Sequence, residues 1–211
     1  MKRRLIINAD DYSLSKQFNK GILELIEKGI VTSTTVMVSK KFAKPRNLLK
    51  YKNISIGLHL DLPFESSTQD IDSQIRKFKK LFGQLPSHLD SHKYFHLLHS
   101  NFPKVLKIAK KYKLPVRSTC PADRKAMSKL GIKTPNQFIS WHPARKNKLF
   151  KDLKNAKGNT IELLCHPGYF DPKAIASYNK QREAELKALK SIEFKKAIAN
   201  FNLINYRNLN F

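Results

Sequence analysis

Leu5-Ile6-Ile7-Asn8-Ala9-Asp10-Asp11 is a short apolar run that ends abruptly on two carboxylates. The same construction recurs along the chain. Ile54-Ser55-Ile56 leads into Gly57-Leu58-His59-Leu60-Asp61, and Ile161-Glu162-Leu163-Leu164 leads into Cys165-His166-Pro167-Gly168. Between them stands a further acid-and-histidine motif, His88-Leu89-Asp90-Ser91-His92. Aliphatic, β-branched runs of this length read as buried strands. In α/β barrels and open α/β sheets the strand ends form the rim where ligands bind. Carboxylates and imidazoles gathered on one rim suit a divalent metal with acid–base partners, and hence metal-assisted hydrolysis.

Between the strand-like runs the periodicity turns helical. Ser15 reads as the cap of a helix over 16–29, with Phe18, Ile22, Leu25 and Ile26 on one face and Gly29 as its stop. Strand one covers 4–8, strand two 31–38 and strand three 54–59, with a helix over 41–51 between the last two. A helix over 68–82 turns Ile71, Ile75, Phe78 and Leu81 or Phe82 inward. Residues 88–91 form a short fourth strand, 102–112 a helix, and Pro115-Val116-Arg117 opens a fifth strand. The stretch 120–145 has no clear pattern beyond a strand at Phe138-Ile139-Ser140-Trp141. A helix over 146–156, a buried strand over 160–165, one long helix over 179–199 and a last strand, Leu203-Ile204-Asn205-Tyr206, complete the pattern. Seven or eight mostly parallel strands alternating with helices predict an α/β fold, a distorted TIM-barrel-like (β/α) arrangement with residues 1–211 as one domain. A full eightfold barrel usually takes about 250 residues, so trimmed loops or an incomplete barrel are expected.

No apolar run approaches the roughly eighteen residues of a membrane span. The opening Lys2-Arg3-Arg4 and its apolar run superficially resemble a signal peptide, but the run passes straight into Asp10-Asp11 and reads as a strand of a cytoplasmic protein. Cys120 and Cys165 are the only cysteines and read as reduced thiols. The formal net charge of +25 raises nucleic acid, a membrane surface or an anionic substrate as partners. The lysines recur through helix-like stretches, at 76–80, 107–113 and 146–157, with no basic tail standing apart. Solvated helix faces are therefore the plainer explanation.

Each candidate site residue has an ordinary reading too. Asp10 and Asp11 could cap the next helix, and His59 could be a satisfied core residue. As neighbours on a strand the two aspartates diverge, which lets one bind a metal while the other faces a water. His59 shares strand parity with Gly57 and Asp61, and Asp90 with His92. His92-x-x-x-His96 has a zinc spacing, but Lys93 follows His92 where a protease would carry its glutamate. His88 and His99 read as surface residues. His166 ends a buried strand at a forced Pro-Gly turn, where a general acid could be held rigidly. His142-Pro143 is a weaker case and is set aside.

Together these motifs resemble the YdjC-like carbohydrate deacetylases, which include the chitooligosaccharide deacetylases. Asn8 to Ser15 is similar to the family's N-A-D-D-[FY]-G-L-S, and Gly29 to Thr35 to its G-[IV]-[VL]-T-S-T-[TS]. Gly57-Leu58-His59, His88 to His92 and Glu162 to Tyr169 resemble G-[LM]-H, H-[LI]-D-S-H and E-[LV]-M-C-H-P-[GA]-[YF], and Val116-Arg117 corresponds to an arginine strand. The resemblance implies a TIM-barrel-like fold and a divalent metal ion, Mg²⁺ or Zn²⁺, held by Asp11, His59 and His92. It implies Asp10 as general base and His166 as general acid, with Asp61, Asp90, Tyr94, His96 and Arg117 binding substrate or supporting the ligands. The implied reaction is metal-dependent removal of an N-acetyl group from an amino sugar such as a chitooligosaccharide. An anionic sugar would suit the charge, and a homodimer is compatible with the family. The rivals are another amide or ester substrate for the same site, and a basic nucleic-acid-binding protein with a relic site. The intact set of site residues argues against a relic. Three departures stand out. Ser13 replaces a glycine, which predicts a different loop conformation. Tyr94 replaces the middle histidine of D-S-H-x-H-x-H. The segment from His59 to Asp90 is short, which predicts an open rim.

Overall fold

Strand and helix alternate from the outset. In the computed structural model, which describes residues 2–142, 146–174, 176 and 178–209, β1 (Arg4–Tyr12) leads to α1 (Lys16–Glu27), β2 (Ser33–Val36), α2 (Pro45–Leu49), β3 (Ser55–Leu60), α3 (Thr68–Phe82) and β4 (Leu89–Ser91). A 3₁₀ turn (His92–Leu97) and α4 (Phe102–Tyr112) follow, then α5 (Pro121–Lys129), β5 (Gln137–Ser140), α6 (Lys146–Lys154) and β6 (Thr160–Cys165). The chain continues through α7 (Lys180–Leu189), α8 (Ile192–Ile198), β7 (Asn202–Leu203) and a second 3₁₀ turn (Tyr206–Asn208).

The strands form one parallel sheet in the order β4-β3-β2-β1-β6-β5, with β7 pairing β1 beside its first residues. A bridge from Leu89 to Val116 extends the β4 edge. Followed around, this is the chain order of a barrel, open between Val116 and β5. There the Tyr94 hydroxyl reaches Ser140 Oγ at 3.4 Å, and Arg117 lies over the Phe138 ring at 5.6 Å. The α/β, distorted TIM-barrel-like expectation is met as a curled, incomplete barrel.

Alternation along β1 sorts the two layers. Leu5, Ile7 and Ala9 join the main apolar core under the helices, while Ile6 joins Tyr206 and Leu209 in a separate small cluster. Asn8 and Asp10 share Ile6's parity and meet other polar side chains. The barrel interior is therefore apolar at its lower end and polar above. No described helix is long and apolar enough to cross a membrane.

Several boundaries differ from expectation. β1 runs past the expected residue 8 and carries both aspartates, with a register shift between Ala9 and Tyr12. The fifth strand is reduced to the Val116 bridge. α5, unexpected in the unreadable stretch, begins with Pro121 in its first turn and with Asp123 accepting the Thr119 and Cys120 N–H groups at 2.9 and 3.1 Å. The expected helix over 179–199 is two helices, because the Ser191 hydroxyl accepts the Phe194 N–H at 3.1 Å and caps a new start. The last strand ends at Leu203, and Tyr206 instead turns into the barrel. Pro143 lies outside the described residues.

Candidate metal centre

The upper end of the barrel holds a cavity of about 400 Å³ with Asp10, Asp11, His59, His92, His166 and Arg182 in its wall. Asp11 comes from the bulged end of β1 with a left-handed φ of 65°. That conformation, rather than plain strand alternation, turns it away from Asp10. Its Oδ1 lies 3.2 Å from His59 Nε2 and 3.2 Å from His92 Nδ1, and its Oδ2 accepts Arg182 Nη2 at 2.5 Å. Asp11, His59 and His92 each present one ligand atom within 4.8 Å of the others. His59 Nδ1 donates to Asp90 Oδ1 at 2.8 Å, which leaves Nε2 facing Asp11 and the cavity. A ligating histidine is commonly fixed by a carboxylate in this way.

Electrostatics favour a cation here. Burial alone would lower His59, but Asp90, Asp11 and Asp10 drive it up to about 10. The surrounding carboxylates thus hold a proton on His59, and a divalent ion would replace that proton. Burial likewise works to raise Asp11, yet His59, His92 and Arg182 carry it well below the carboxylate range. A second acid–histidine group, Asp10, His59 and Asp90, lies deeper. It already has a cation, because Arg117 donates to Asp10 at 2.6 and 2.7 Å and reaches Asp90 at 2.9 Å.

Asp10 is buried, which raises its pKa, but the Arg117 fork outweighs this and brings it to about 2. Asn8 also donates to its Oδ1 at 2.7 Å. His166 stands across the cavity with its side chain 26% exposed. Burial, Arg182 and His59 press it down to about 4 against the pull of Asp11 and Asp10. Its backbone N–H donates to Glu185 Oε2 at 2.5 Å, and the Tyr178 hydroxyl donates to Glu185 Oε1.

The YdjC-like protein family model matches residues 4–70 and 65–200. The chain belongs to the YdjC-like family. A carbohydrate deacetylase of Clostridium beijerinckii is 32% identical, with 98% of this chain and 100% of the relative covered. A chitooligosaccharide deacetylase of Proteus mirabilis is 29% identical, with 99% and 100% covered. A crystal structure from Enterococcus faecalis, of a protein named for a proposed cellobiose-phosphate cleavage, superposes with a TM-score of 0.87 at 25% identity over 100% of both chains. The Clostridium alignment spans 248 positions against the 211 residues of this YdjC-like chain, so that relative carries insertions that are missing here.

The remaining expected residues fall into two groups. Asp61 and Tyr94 line the cavity, Asp61 pairing with Lys40 at 2.7 Å. Asp90, His96 and Arg117 lie fully buried beneath it. His96 donates from Nε2 to the Arg117 carbonyl at 3.2 Å and accepts from Ser91 at 2.7 Å. Burial first, and Arg117 next, take it to about 3, so it is neutral support. His88, read as a surface residue, is fully buried. Its ring stacks on Tyr206 at 3.5 Å, in space that Gly57 leaves open: a Cβ at Gly57 would lie 2.4 Å from the His88 ring. Ser13 keeps a positive φ of 94°, so the backbone there stays in the region that favours the glycine of the YdjC-like pattern.

Sequence reasoning missed Arg182 and Glu185 on α7 and left Glu162 without a role. Arg182, Glu185, Leu186 and Leu189 are spaced for one helix face and are all buried. Two charges on a core-facing stripe were the available signal. In the cavity wall Lys40, Lys93 and Arg182 face Asp10, Asp11 and Asp61, and the proton on His59 adds a further positive charge. The charge excess sits on outer helices, for example at the exposed Lys77, Lys79 and Lys80 of α3.

Proposed function

We propose that this protein is a metal-dependent hydrolase that removes the N-acetyl group from an amino sugar of the chitooligosaccharide type. The observation that carries the reading is the convergence of Asp11, His59 and His92 on one point of the cavity, with Asp10 and His166 beside it. The deacetylase names of the two sequence relatives support the substrate class. Two imidazoles and a carboxylate suit Zn²⁺ on donor type better than the all-oxygen preference of Mg²⁺. An ion held there would polarise the acetamide carbonyl and lower the pKa of water toward roughly 7.

The chain's own groups then divide the remaining work. Arg182 occupies Asp11 Oδ2 and leaves Oδ1 free for ligation. Asp10, ionised and locked by Arg117, takes the proton that the attacking water gives up. His166 protonates the departing nitrogen. It is a neutral imidazole at neutral pH, so the proton it delivers is one it acquires within the cycle. The net chemistry needs only the proton that the water loses. Tyr94 and Tyr178 give the sugar two aromatic walls.

The test is mass spectrometry on a panel of N-acetylated sugars incubated with zinc-loaded protein. Loss of one acetyl group from a chitooligosaccharide is expected. Cleavage of simple esters or peptides with no acetylated sugar consumed would overturn the substrate class.

A further inference from the structure

The ionic contacts that fill the barrel do not stop at Arg117. Glu162 Oε1 accepts Arg117 Nε at 2.9 Å and lies 2.8 Å from Nη2, while Glu162 Oε2 accepts the Tyr206 hydroxyl at 2.6 Å. Tyr206, Glu162, Arg117 and Asp10 therefore form one connected strut from the lower end of the barrel to the cavity. No member is more than 2% exposed. The lower end is held firmly. The Tyr206 ring lies parallel to His88 within 4°, and its N–H donates to Ser55 Oγ at 3.1 Å. Asn205 beside it donates to the Asn53 carbonyl at 3.0 Å. The YdjC-like match ends at residue 200, before this tyrosine.

We propose that, given the deacetylase reading with Asp10 as its base, Tyr206 is a positioning residue that acts through Glu162 and Arg117 on Asp10. One guanidinium faces three carboxylates, Asp10, Asp90 and Glu162. Where it settles depends on how each carboxylate is held. The Tyr206 hydroxyl is a neutral donor that fixes Glu162 Oε2 without adding charge. Without it, that oxygen becomes a buried acceptor with no partner. Glu162 can then rotate and present both oxygens to Arg117, which draws the fork down and away from Asp10. A base displaced by about 1 Å can lose on the order of a hundredfold in rate.

Tyr206→Phe keeps the ring and its stack on His88 and removes only the hydroxyl. On the zinc-loaded full chain with diacetylchitobiose, kcat is expected to fall about tenfold or more, with KM and bound zinc unchanged. A merely structural hydroxyl would lower the melting temperature and leave kcat per folded molecule within about twofold of wild type; that result overturns the proposal. Arginine side-chain ¹⁵N NMR supplies a readout independent of turnover. The Arg117 Nε–H resonance is expected to shift and exchange faster with solvent in Tyr206→Phe. An unchanged resonance overturns the strut even if wild-type protein releases no acetate from any sugar, an outcome that would sink the deacetylase reading separately. Should Tyr206→Phe fail to fold, Glu162→Gln is read by the same two measurements and judged by the same outcomes.

Discussion

Replacing Arg117 with methionine keeps most of its volume and leaves Asp10, Asp90 and Glu162 facing one another without their shared cation. The size of the penalty follows from the site. Asp10 falls from an ordinary 3.8 to about 2, chiefly through Arg117 acting against burial. At about 1.4 kcal/mol per pKa unit, this carboxylate alone accounts for roughly 2 kcal/mol of stability at neutral pH. Removing one partner of a buried ion pair typically costs about 3–5 kcal/mol, and here three partners are stranded. Arg117→Met should therefore lose about 3–5 kcal/mol or more, a large part of the roughly 5–15 kcal/mol available to a domain. The pH dependence has a definite sign. A depressed carboxylate contributes stability above its unfolded pKa and loses it only as pH falls through about 2, so wild type keeps this contribution across the neutral range. In the variant the buried, uncompensated carboxylates favour protons, so its stability should rise on acidification. Guanidinium denaturation at about pH 8 and about pH 5 should show the deficit widest at the higher pH. A deficit below about 1 kcal/mol, or one independent of pH, would refute the view that Arg117 holds the barrel interior together.

Other perturbations act on separate parts of the site. His92→Ala should lose bound zinc while staying within about 1 kcal/mol of wild-type stability, because its side chain is 39% exposed; His59→Ala should lose both, since buried Asp11 and Asp90 are each left with one cationic partner fewer, Arg182 and Arg117 remaining. Retained zinc stoichiometry in His92→Ala, measured by atomic absorption, would remove it from the ligand set. Zinc uptake should release about one proton, read by calorimetry in two buffers, because His59 is protonated without the ion. Asp10→Asn and His166→Ala should keep the metal and lose roughly 10²–10⁴-fold in kcat; activity near wild type in either variant ends that assignment. Burial first, with Asp10 adding, lifts Glu185 from 4.5 to about 7, so its stabilising contribution is full below about 4.5 and is lost as pH rises through about 7. Glu185→Gln should thus be the more stable protein above about pH 7, by up to roughly 3 kcal/mol, with the difference vanishing below about pH 4.5; a pH-independent difference in melting experiments contradicts it.

Much of the architecture was legible because its signals are local. The 3.6-residue period of Ile71, Ile75, Phe78 and Phe82 and the Gly83 stop delimit α3, and the apolar run 160–165 matches β6. Competition between signals is what escaped. Ser191 interrupts a helical period because its hydroxyl caps a new turn three residues on, and Val116 pairs across the fold only at a single bridge. At the site, the motifs named Asp10, Asp11, His59, His92 and His166, each where a strand ends. They could not show that Arg117 takes both oxygens of Asp10, that Arg182 takes one oxygen of Asp11, or that His88 is buried against Tyr206.

The sequence by itself determined the alternation of strands and helices, the rim positions of the acids and histidines, and the family pattern they compose. Those follow from side-chain period, turn chemistry and residue type, which act over a few positions. Only the tertiary structure decided which charges meet. Arg117 stands 107 positions from Asp10, and Arg182 stands 171 from Asp11. Such pairs form because a curled parallel sheet brings distant strand ends to one axis, where a buried charge must find an opposite partner or go unsatisfied.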